Sequence, residues 1–163
     1  MSLLAEKHLS VFGIGPIYVG TIALLTVLGI GLSVTGKIPF VSLEGADKVF
    51  FVLGIGCIIL GIVLWLTGAL FSKLNQSIKN NQLVTGGIYA FVRNPIYSAF
   101  MFLLTGMILI YANVLLFILP CFYWLLMTVL LKVSEEKWLI ELYGEEYLAY
   151  CQRVNRCLPW YRS

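Results

Sequence analysis

Long apolar stretches dominate the chain, and polar residues are confined to short segments between them. Two stretches, residues 15–34 and 49–71, are each long enough for one helix to cross about 30 Å of hydrocarbon. A third apolar region, residues 96–131, is too long for one span and too short for two spans with a generous loop. This pattern is typical of a helical membrane protein.

The third region is best explained as a helical hairpin. Its break is expected at residues 111–113, Tyr-Ala-Asn, which gives spans at about 95–110 and 114–131. Pro120 lacks a backbone N–H, so we expect it to kink the last span and to free a carbonyl. A single long tilted helix is the alternative. We predict an all-α integral membrane protein of about four transmembrane helices, one domain over residues 1–163, with a cytosolic C-terminal helical segment.

Small residues in the first two spans predict where helices pack closely. In a bilayer, lipid removes the usual hydrophobic drive for helix association, so helices meet where small side chains let their backbones approach. The candidates are Gly20, Gly29, Gly31 and Ser33 in the first span and Gly54, Gly56, Gly61 and Gly68 in the second.

Composition and charge agree with this class of protein. Hydrophobic residues make up 60% of the chain and charged residues 12%, with a mean hydropathy of +0.93, far from the balance of soluble domains. The net charge of +3 is too small and too scattered to indicate nucleic-acid binding. The N-terminus shows no cleavable signal peptide, so the first span is expected to stay in the mature protein.

The distribution of lysine and arginine predicts the orientation. With four spans, only Lys37 and Lys48 lie on one side of the membrane, and the positive-inside rule places both termini on the other side, in the cytoplasm. The basic residues on that cytoplasmic side are Lys7, Lys73, Lys79, Arg93, Lys132, Lys137, Arg153, Arg156 and Arg162.

The longest polar interruption, residues 83–97, has the composition of a site and not that of a linker. It interleaves aromatic residues with two glycines, an arginine, an asparagine and a proline, and it runs directly into an apolar segment. We expect something polar to be held there, at the edge of the membrane.

Residues 132–159 are charged and helical in pattern, with a bend or helix boundary expected at Gly144. In the predicted orientation this segment meets residues 83–97 at one membrane surface. Its carboxylates and aromatic rings recur at three- and four-residue steps and therefore share one face: Glu135, Glu136, Tyr143, Glu146, Tyr147 and Tyr150.

Histidine and cysteine indicate no metal centre. His8 is the only histidine and lies in the N-terminal tail. Cys57 and Cys121 lie inside apolar runs, and Cys151 and Cys157 have no partner at ligand spacing. We interpret the four thiols as inert, small hydrophobic groups.

Over residues 83–159 the chain resembles the membrane methyltransferases, which include isoprenylcysteine carboxyl methyltransferases and phospholipid methyltransferases. The resemblance implies S-adenosylmethionine as methyl donor, bound on the cytosolic side, and an amphiphilic acceptor that arrives from the bilayer. The motifs that carry it are Gly86-Gly87, Tyr89, Arg93-Asn94-Pro95, Tyr97, Glu135-Glu136, Tyr143-Gly144, Tyr147, Tyr150 and Arg153-Val154-Asn155-Arg156.

The chain departs from the family pattern at two places. Asn94 stands where the family often has histidine, and Val154-Asn155-Arg156 replaces the usual valine-proline-arginine ending. An amide can donate and accept hydrogen bonds, but it cannot take a proton. We therefore expect Asn94 to help bind the donor and not to act as a base.

A sulfonium donor needs oxygen acceptors, a cation for its carboxylate and an aromatic surface. Glu135 and Glu136 can supply acceptors, and either Arg93 or Arg156 the cation. Gly86 and Gly87 let backbone amides approach. We interpret Arg93 and Glu136 as catalytic and predict these donor-binding residues: Gly86, Gly87, Tyr89, Arg93, Asn94, Pro95, Tyr97, Glu135, Glu136, Tyr147 and Arg156.

Each residue also has a purely structural interpretation. Arg93 can anchor a helix among lipid headgroups, Pro95 can simply begin a span, and the tyrosines can form an aromatic belt. Glu135 and Glu136 can be the solvated start of an exit helix. Lys132 lies four residues before Glu136. It either forms an ordinary helix ion pair with Glu136 or supplies an extra cation to the site.

We hypothesise methyl transfer from S-adenosylmethionine to a lipophilic acceptor: a prenylcysteine carboxylate, a lipid amine or another hydrophobic compound. Such a displacement needs positioning and exclusion of water but no covalent nucleophile. One rival is a non-enzymatic helical membrane protein that acts in assembly or binding. A nicotinamide-dependent membrane reductase is disfavoured, because the sequence shows no further nucleotide-binding feature.

Overall fold

The structure is a computed structural model that describes residues 14–70 and 83–160. Within them the chain is helical, as predicted, with short 3₁₀ turns at Gly87–Ala90 and Val114–Phe117. The α-helices are α1 (Gly15–Val34), α2 (Asp47–Leu70), α3 (Pro95–Tyr111), α4 (Ile118–Val133), α5 (Glu135–Tyr143) and α6 (Glu145–Arg153).

Within residues 14–70 and 83–160, three segments are long and apolar enough to cross a membrane: Gly15–Val34, Asp47–Ala69 and Val114–Val133. The helix α3 is apolar but has only 17 residues, which is a rise of about 25 Å. The predicted count of four spans therefore stays a prediction. The predicted orientation also stays a prediction. Four of the basic residues on which it rests lie outside the described residues: Lys7, Lys73, Lys79 and Arg162. The predicted end of the second span, residue 71, lies outside them as well.

The predicted hairpin break at residues 111–113 is confirmed. Ala112 has φ 59°, in the left-handed region, and ends α3. Asn113 is fully buried; its amide nitrogen donates to Ser33 Oγ at 2.8 Å and to the Pro39 carbonyl at 3.1 Å, and its oxygen accepts from the Val41 amide at 3.3 Å. This side chain ties the hairpin to the end of α1.

The expected kink at Pro120 is corrected by the structure. Helix α4 begins at Ile118, so Pro120 is its third residue. The missing N–H then falls in the first turn, where helix N–H groups lack intrahelical partners in any case. The irregular backbone is instead the 3₁₀ turn Val114–Phe117, upstream of the proline.

Glycines bring the backbones of α2 and α3 into contact. A Cβ placed on Gly54 would lie 2.8 Å from the Gly106 carbonyl oxygen, and one on Gly61 would lie 2.8 Å from the Ala99 carbonyl oxygen. A Cβ on Gly68 would lie 3.3 Å from Pro95. Since real Cβ atoms hardly ever come within 3 Å of another heavy atom, the first two positions admit only glycine without movement of a backbone.

The predicted close packing is thus confirmed for some glycines and not for others. Gly54, Gly61 and Gly68 are seven residues apart and share the face that meets α3. In α1, Gly29 packs against Leu116 of the 3₁₀ turn Val114–Phe117 and against Leu119 of α4. At three other predicted contact positions, a Cβ would have no atom of the described part of the chain within 4 Å: Gly20, Gly31 and Gly56.

Helix α1 joins the bundle through one stripe of side chains. Its buried residues recur at three- and four-residue steps, which keeps them on one face. Within this stripe, Thr26 Oγ1 lies 2.8 Å from the Tyr123 hydroxyl of α4. The stripe consists of Gly15, Tyr18, Ile22, Thr26, Gly29 and Ser33.

The end of the described chain lies against the polar stretch before α3. Gly144 separates α5 from α6 with φ 52°, which confirms the predicted boundary. After α6, Asn155 forms a parallel bridge with Val92, and its carbonyl accepts from the Arg93 amide at 2.9 Å. The Trp160 amide donates to the Phe91 carbonyl at 2.9 Å. Residues 83–97 and 132–159 therefore meet, as predicted.

We expect Gly61→Ala to destabilise the fold, because the new methyl group has to push apart two backbones; overpacking of this kind costs about 1–3 kcal/mol. Gly56→Ala is the matched control, since its methyl group meets open space and alanine favours helices. Thermal unfolding of both variants in one detergent measures the difference. Equal midpoints for the two would contradict the backbone contact.

Candidate functional site

Arg93 lies between the 3₁₀ turn Gly87–Ala90 and the first residue of α3. Its backbone amide is held by the Asn155 carbonyl, and its side chain is only 8% exposed. A guanidinium this deeply buried needs a paired carboxylate, because an uncompensated buried charge costs several kcal/mol.

Glu136, the second residue of α5, supplies that carboxylate. Its Oε1 accepts from Arg93 Nη1 at 3.0 Å and from Arg156 Nε at 2.6 Å, and its Oε2 accepts from Arg156 Nη2 at 2.8 Å. Arg156 therefore binds it in the bidentate geometry that makes such pairs strong. We call Arg93, Glu136 and Arg156 the arginine cluster; two cations and one anion give it a net charge of +1.

Arg93 also forms hydrogen bonds with two side chains of α6. Its Nη1 also donates to Cys151 Sγ at 2.6 Å and to the Tyr147 hydroxyl at 3.4 Å. Burial raises the pKa of both the Tyr147 hydroxyl and the Cys151 thiol, so both are neutral near pH 7. Arg93 Nε is buried and has no hydrogen-bond partner within the described part of the chain.

The hydrogen bonds to Glu136 raise the pKa of Arg156, so this guanidinium stays protonated. Asn94 Nδ2 donates to the Arg156 carbonyl at 3.2 Å. Asn94 thus holds the backbone of the second arginine. Lys132 is exposed. The carboxylate of Glu136, its expected helix partner, is paired with the two arginines.

Glu135 has different partners from Glu136. Its Oε1 accepts from the Tyr97 hydroxyl at 2.7 Å and from the Ile14 amide at 3.3 Å, at the beginning of α1. Gly15 lies against the Tyr97 ring so closely that a Cβ there would be 2.7 Å from Cε1. The two glutamates, expected to act side by side, point to separate neighbours.

The remaining predicted residues line the edge of the site. Gly86 and Gly87 are exposed, and no atom of the described residues lies within 4 Å of a Cβ placed on either of them. Gly87 has φ 62°. The Tyr89 carbonyl accepts from the Tyr150 hydroxyl at 2.6 Å, which holds this turn against α6. Pro95 is buried as the first residue of α3. Within the described ranges, no three His, Cys, Asp or Glu side chains are grouped to hold a metal.

Sequence reasoning missed Cys151 as a member of this site. We interpreted its thiol as an inert hydrophobe, yet it accepts from Arg93. Its position four residues after Tyr147 places both on one face of α6. That spacing was the signal that could have found it.

Comparisons with known proteins show the family to which the chain belongs. The family model described as phospholipid methyltransferase matches residues 49–146, more than half of the chain. The chain belongs to the phospholipid methyltransferase family. The matched range contains Arg93, Glu135 and Glu136, together with α2, which packs on α3. Tyr147, Cys151 and Arg156 lie beyond its end.

Two curated relatives are methyltransferases. The chain is 38% identical over 76 residues to methanethiol S-methyltransferase 1 of Bradyrhizobium diazoefficiens, which covers 47% of the chain and 26% of that enzyme. It is 32% identical over 123 residues to protein-S-isoprenylcysteine O-methyltransferase of Saccharomyces cerevisiae, 71% of the chain and 51% of that enzyme. The chain thus spans about a quarter and about half of these relatives. No solved structure matches the chain significantly.

We expect Glu136→Gln to destabilise the fold strongly, because it leaves two buried guanidiniums without a counter-charge; breaking such a pair costs about 3 kcal/mol or more. Glu141→Gln, on the exposed side of α5, is the matched control. Thermal unfolding, read together with protease cleavage of α5 and α6, measures the effect. If both variants unfold alike, the cluster does not hold these helices.

Burial raises the pKa of the Cys157 thiol to about 11, from an ordinary value of 9.0. A raised thiol pKa keeps the neutral form, so at pH 8 the thiolate fraction is about 100-fold below that of an unperturbed thiol. We expect iodoacetamide to label Cys157 correspondingly slowly in a chain whose other cysteines are replaced by serine. The protection should disappear in SDS and as pH rises past about 11; fast labelling of the folded chain at pH 8 would be inconsistent with this burial.

Proposed function

We propose that this family member transfers a methyl group from S-adenosylmethionine to a lipophilic acceptor at the cytosolic face of the membrane. The observation that carries the proposal is the arginine cluster: buried charges from residues 83–97, from α5 and from the C-terminal tail meet beside a membrane-spanning bundle. The family and the two methyltransferase relatives support methyl transfer as the reaction.

The donor fits features of the cluster itself. Arg93 Nε is a buried donor in need of an acceptor, and a net charge of +1 favours an anionic group such as the donor's carboxylate. The open backbone at Gly86 and Gly87 gives room for a bulky group to lie against amides. Glu136 is saturated by the two arginines, so in this proposal it orients them and does not itself hold the sulfonium.

S-adenosylmethionine supplies a methyl group on a sulfonium sulfur; the C–S bond breaks, its electron pair stays on sulfur as a neutral thioether, and the acceptor's lone pair forms the new bond. The chain's part is to bind both reactants in line and to exclude water. No charged protein intermediate is required.

Among the described side chains that contact Arg93 or Arg156, none offers a free base, and this favours an acceptor that arrives as an anion. A carboxylate or a thiolate loses no proton when it is methylated, whereas an ammonium group first has to be deprotonated. Asn94 cannot take a proton, and burial keeps Tyr147 and Cys151 in their neutral forms by raising their pKa. A prenylcysteine carboxylate or a thiolate is therefore preferred to a lipid amine as the acceptor.

Equilibrium binding of S-adenosylmethionine to the full chain in detergent tests the proposal. Arg93→Lys keeps the charge but removes the Nε–H donor; losing a hydrogen bond to a charged ligand costs about 1.5–3 kcal/mol, so we expect binding at least ~10-fold weaker. Arg153→Gln, at an exposed position, is the control and should bind normally. A folded chain that binds no donor at millimolar concentration supports the non-enzymatic rival instead.

A further inference from the structure

We propose that the connection between α1 and α2 is a membrane-contacting loop, held by Asn113 in the lipid boundary at the end of the bundle opposite the arginine cluster. The segment concerned is residues 38–43, Ile-Pro-Phe-Val-Ser-Leu, which we call the apolar loop. Its partner is the bilayer itself, at the level where headgroups meet acyl chains. This contact with lipid is independent of methyl transfer.

The apolar loop folds back onto the end of α1. The amides of Lys37 and Ile38 both donate to the Leu32 carbonyl, at 2.9 and 3.0 Å. Leu32 belongs to the last turn of α1, so the chain reverses its direction within a few residues of the helix end. The start of the apolar loop therefore lies level with that turn.

Asn113 holds the middle of the loop at the same level. Its amide nitrogen joins Ser33 of α1 to the Pro39 carbonyl, and its oxygen accepts from the Val41 amide. The Val41 carbonyl in turn accepts from the Val114 amide at 2.9 Å. Both backbone polar groups of Val41 are thus bonded within the protein, as a segment in contact with hydrocarbon requires.

The length of α1 places this loop at the edge of the hydrocarbon. The helix has 20 residues, a rise of about 30 Å, which equals the hydrocarbon thickness of a typical bilayer. Its last turn, and the loop bonded to it, therefore lie at one boundary. Arg93 precedes α3 and Asn113 follows it, so the arginine cluster and the loop lie at opposite ends of that helix.

The loop presents apolar side chains outward. Phe40 is 55% exposed and Leu43 is 51% exposed, and Val41 between them is exposed as well. Phe40 packs edge-on against Tyr111 at the end of α3, with ring centroids 5.6 Å apart. An aromatic ring with aliphatic neighbours is typical of segments that lie where headgroups meet acyl chains.

Lipid is the occupant that these residues favour over a second copy of the chain. The patch continues the apolar surface of the helices, since Val34 in α1 and Val49 in α2 are also exposed. A stable protein interface buries about 800 Å² on each partner, far more than three half-exposed side chains offer. The exposed charges of Lys37 and Glu44 flank the loop, where they can reach headgroups and water.

The first test measures the depth of residue 40. Phe40→Cys, in a chain whose four native cysteines are replaced by serine, carries an NBD fluorophore in phosphatidylcholine vesicles, and Glu44→Cys is the matched control. Iodide in the water should quench the label at residue 40 at least ~5-fold less than the label at residue 44, because a boundary segment lies about 5–10 Å below the surface. A nitroxide at carbon 5 of the lipid acyl chain should quench the label at residue 40 more strongly than a nitroxide on the headgroup.

Two results of this test would overturn the proposal. Equal quenching by iodide at both positions would place the loop in water. Protection from iodide that grows with the protein-to-lipid ratio, without quenching by lipid nitroxides, would assign the patch to a second copy of the chain.

The second test removes the side chain that holds the loop. Asn113→Ala should raise hydrogen exchange of the Val41 amide at least ~10-fold, because the acceptor of that amide is lost. Iodide should then reach the label at residue 40. The Arg93 amide, held at the other end of α3 by the Asn155 carbonyl, is the internal control and should exchange as before.

Ser33→Ala replaces this variant if Asn113→Ala does not fold. It removes one of the four hydrogen bonds of the Asn113 amide, so exchange at Val41 should rise by roughly 5-fold. An unchanged exchange rate at Val41 contradicts the role of Asn113. Faster exchange at Val41 with undiminished quenching by lipid contradicts it too, because the loop then stays in the boundary without this side chain.

Discussion

The carboxylate of Glu136 is the group on which the arrangement of this site depends. It lies between the guanidiniums of Arg93, in the stretch before α3, and Arg156, in the C-terminal tail. Burying either guanidinium without this carboxylate would be costly. Because the bond to Arg156 is bidentate, it fixes both the distance and the plane of that guanidinium. This one side chain therefore fixes the positions of three segments relative to one another: the start of α5, the C-terminal tail and the stretch before α3.

The membrane-embedded helices differ in how firmly they are joined to this site. Contact between α2 and α3 is made by backbone atoms, which have no alternative rotamers, so these two helices form a stiff pair. Helix α1 is joined by tyrosine rings, a threonine and hydrogen bonds to a carboxylate. In a bilayer, apolar surface alone does not drive helices together, so these specific contacts hold the bundle. The backbone contacts between α2 and α3 cannot change by side-chain rotation, whereas the side-chain contacts of α1 can.

The elements of the fold were predictable where the signal is local. Long apolar stretches in the sequence predict the membrane helices. The break at Ala112 and the boundary at Gly144 follow from short polar or glycine-containing interruptions. Pro120 misled, because its effect depends on where α4 begins, and that is decided by the 3₁₀ turn before it. Gly56 was predicted as a contact position together with Gly54, Gly61 and Gly68, but only the last three are spaced by seven residues and contact α3.

The site was predictable as a meeting of two segments but not in its pairing. That residues 83–97 and 132–159 converge followed from orientation alone. Which arginine binds Glu136 depends on contacts between residues 43 and 20 positions apart, and no local pattern encodes them. Both arginines bind it. That Glu135 turns elsewhere has a simple cause: neighbouring residues on a helix point about 100° apart, so two adjacent carboxylates rarely share one partner.

The contact between the C-terminal tail and the stretch before α3 has a consequence for the order of folding. Proteins are made from the N-terminus, and Arg93 is synthesised 43 residues before Glu136. The helical hairpin of α3 and α4 is therefore complete while this guanidinium still has neither its carboxylate nor the Asn155 carbonyl. Only when the final turns of the chain return to Phe91 and Arg93 does the charge become enclosed. The arginine cluster therefore cannot form before the end of the chain has been made, whereas the contacts among the membrane helices can.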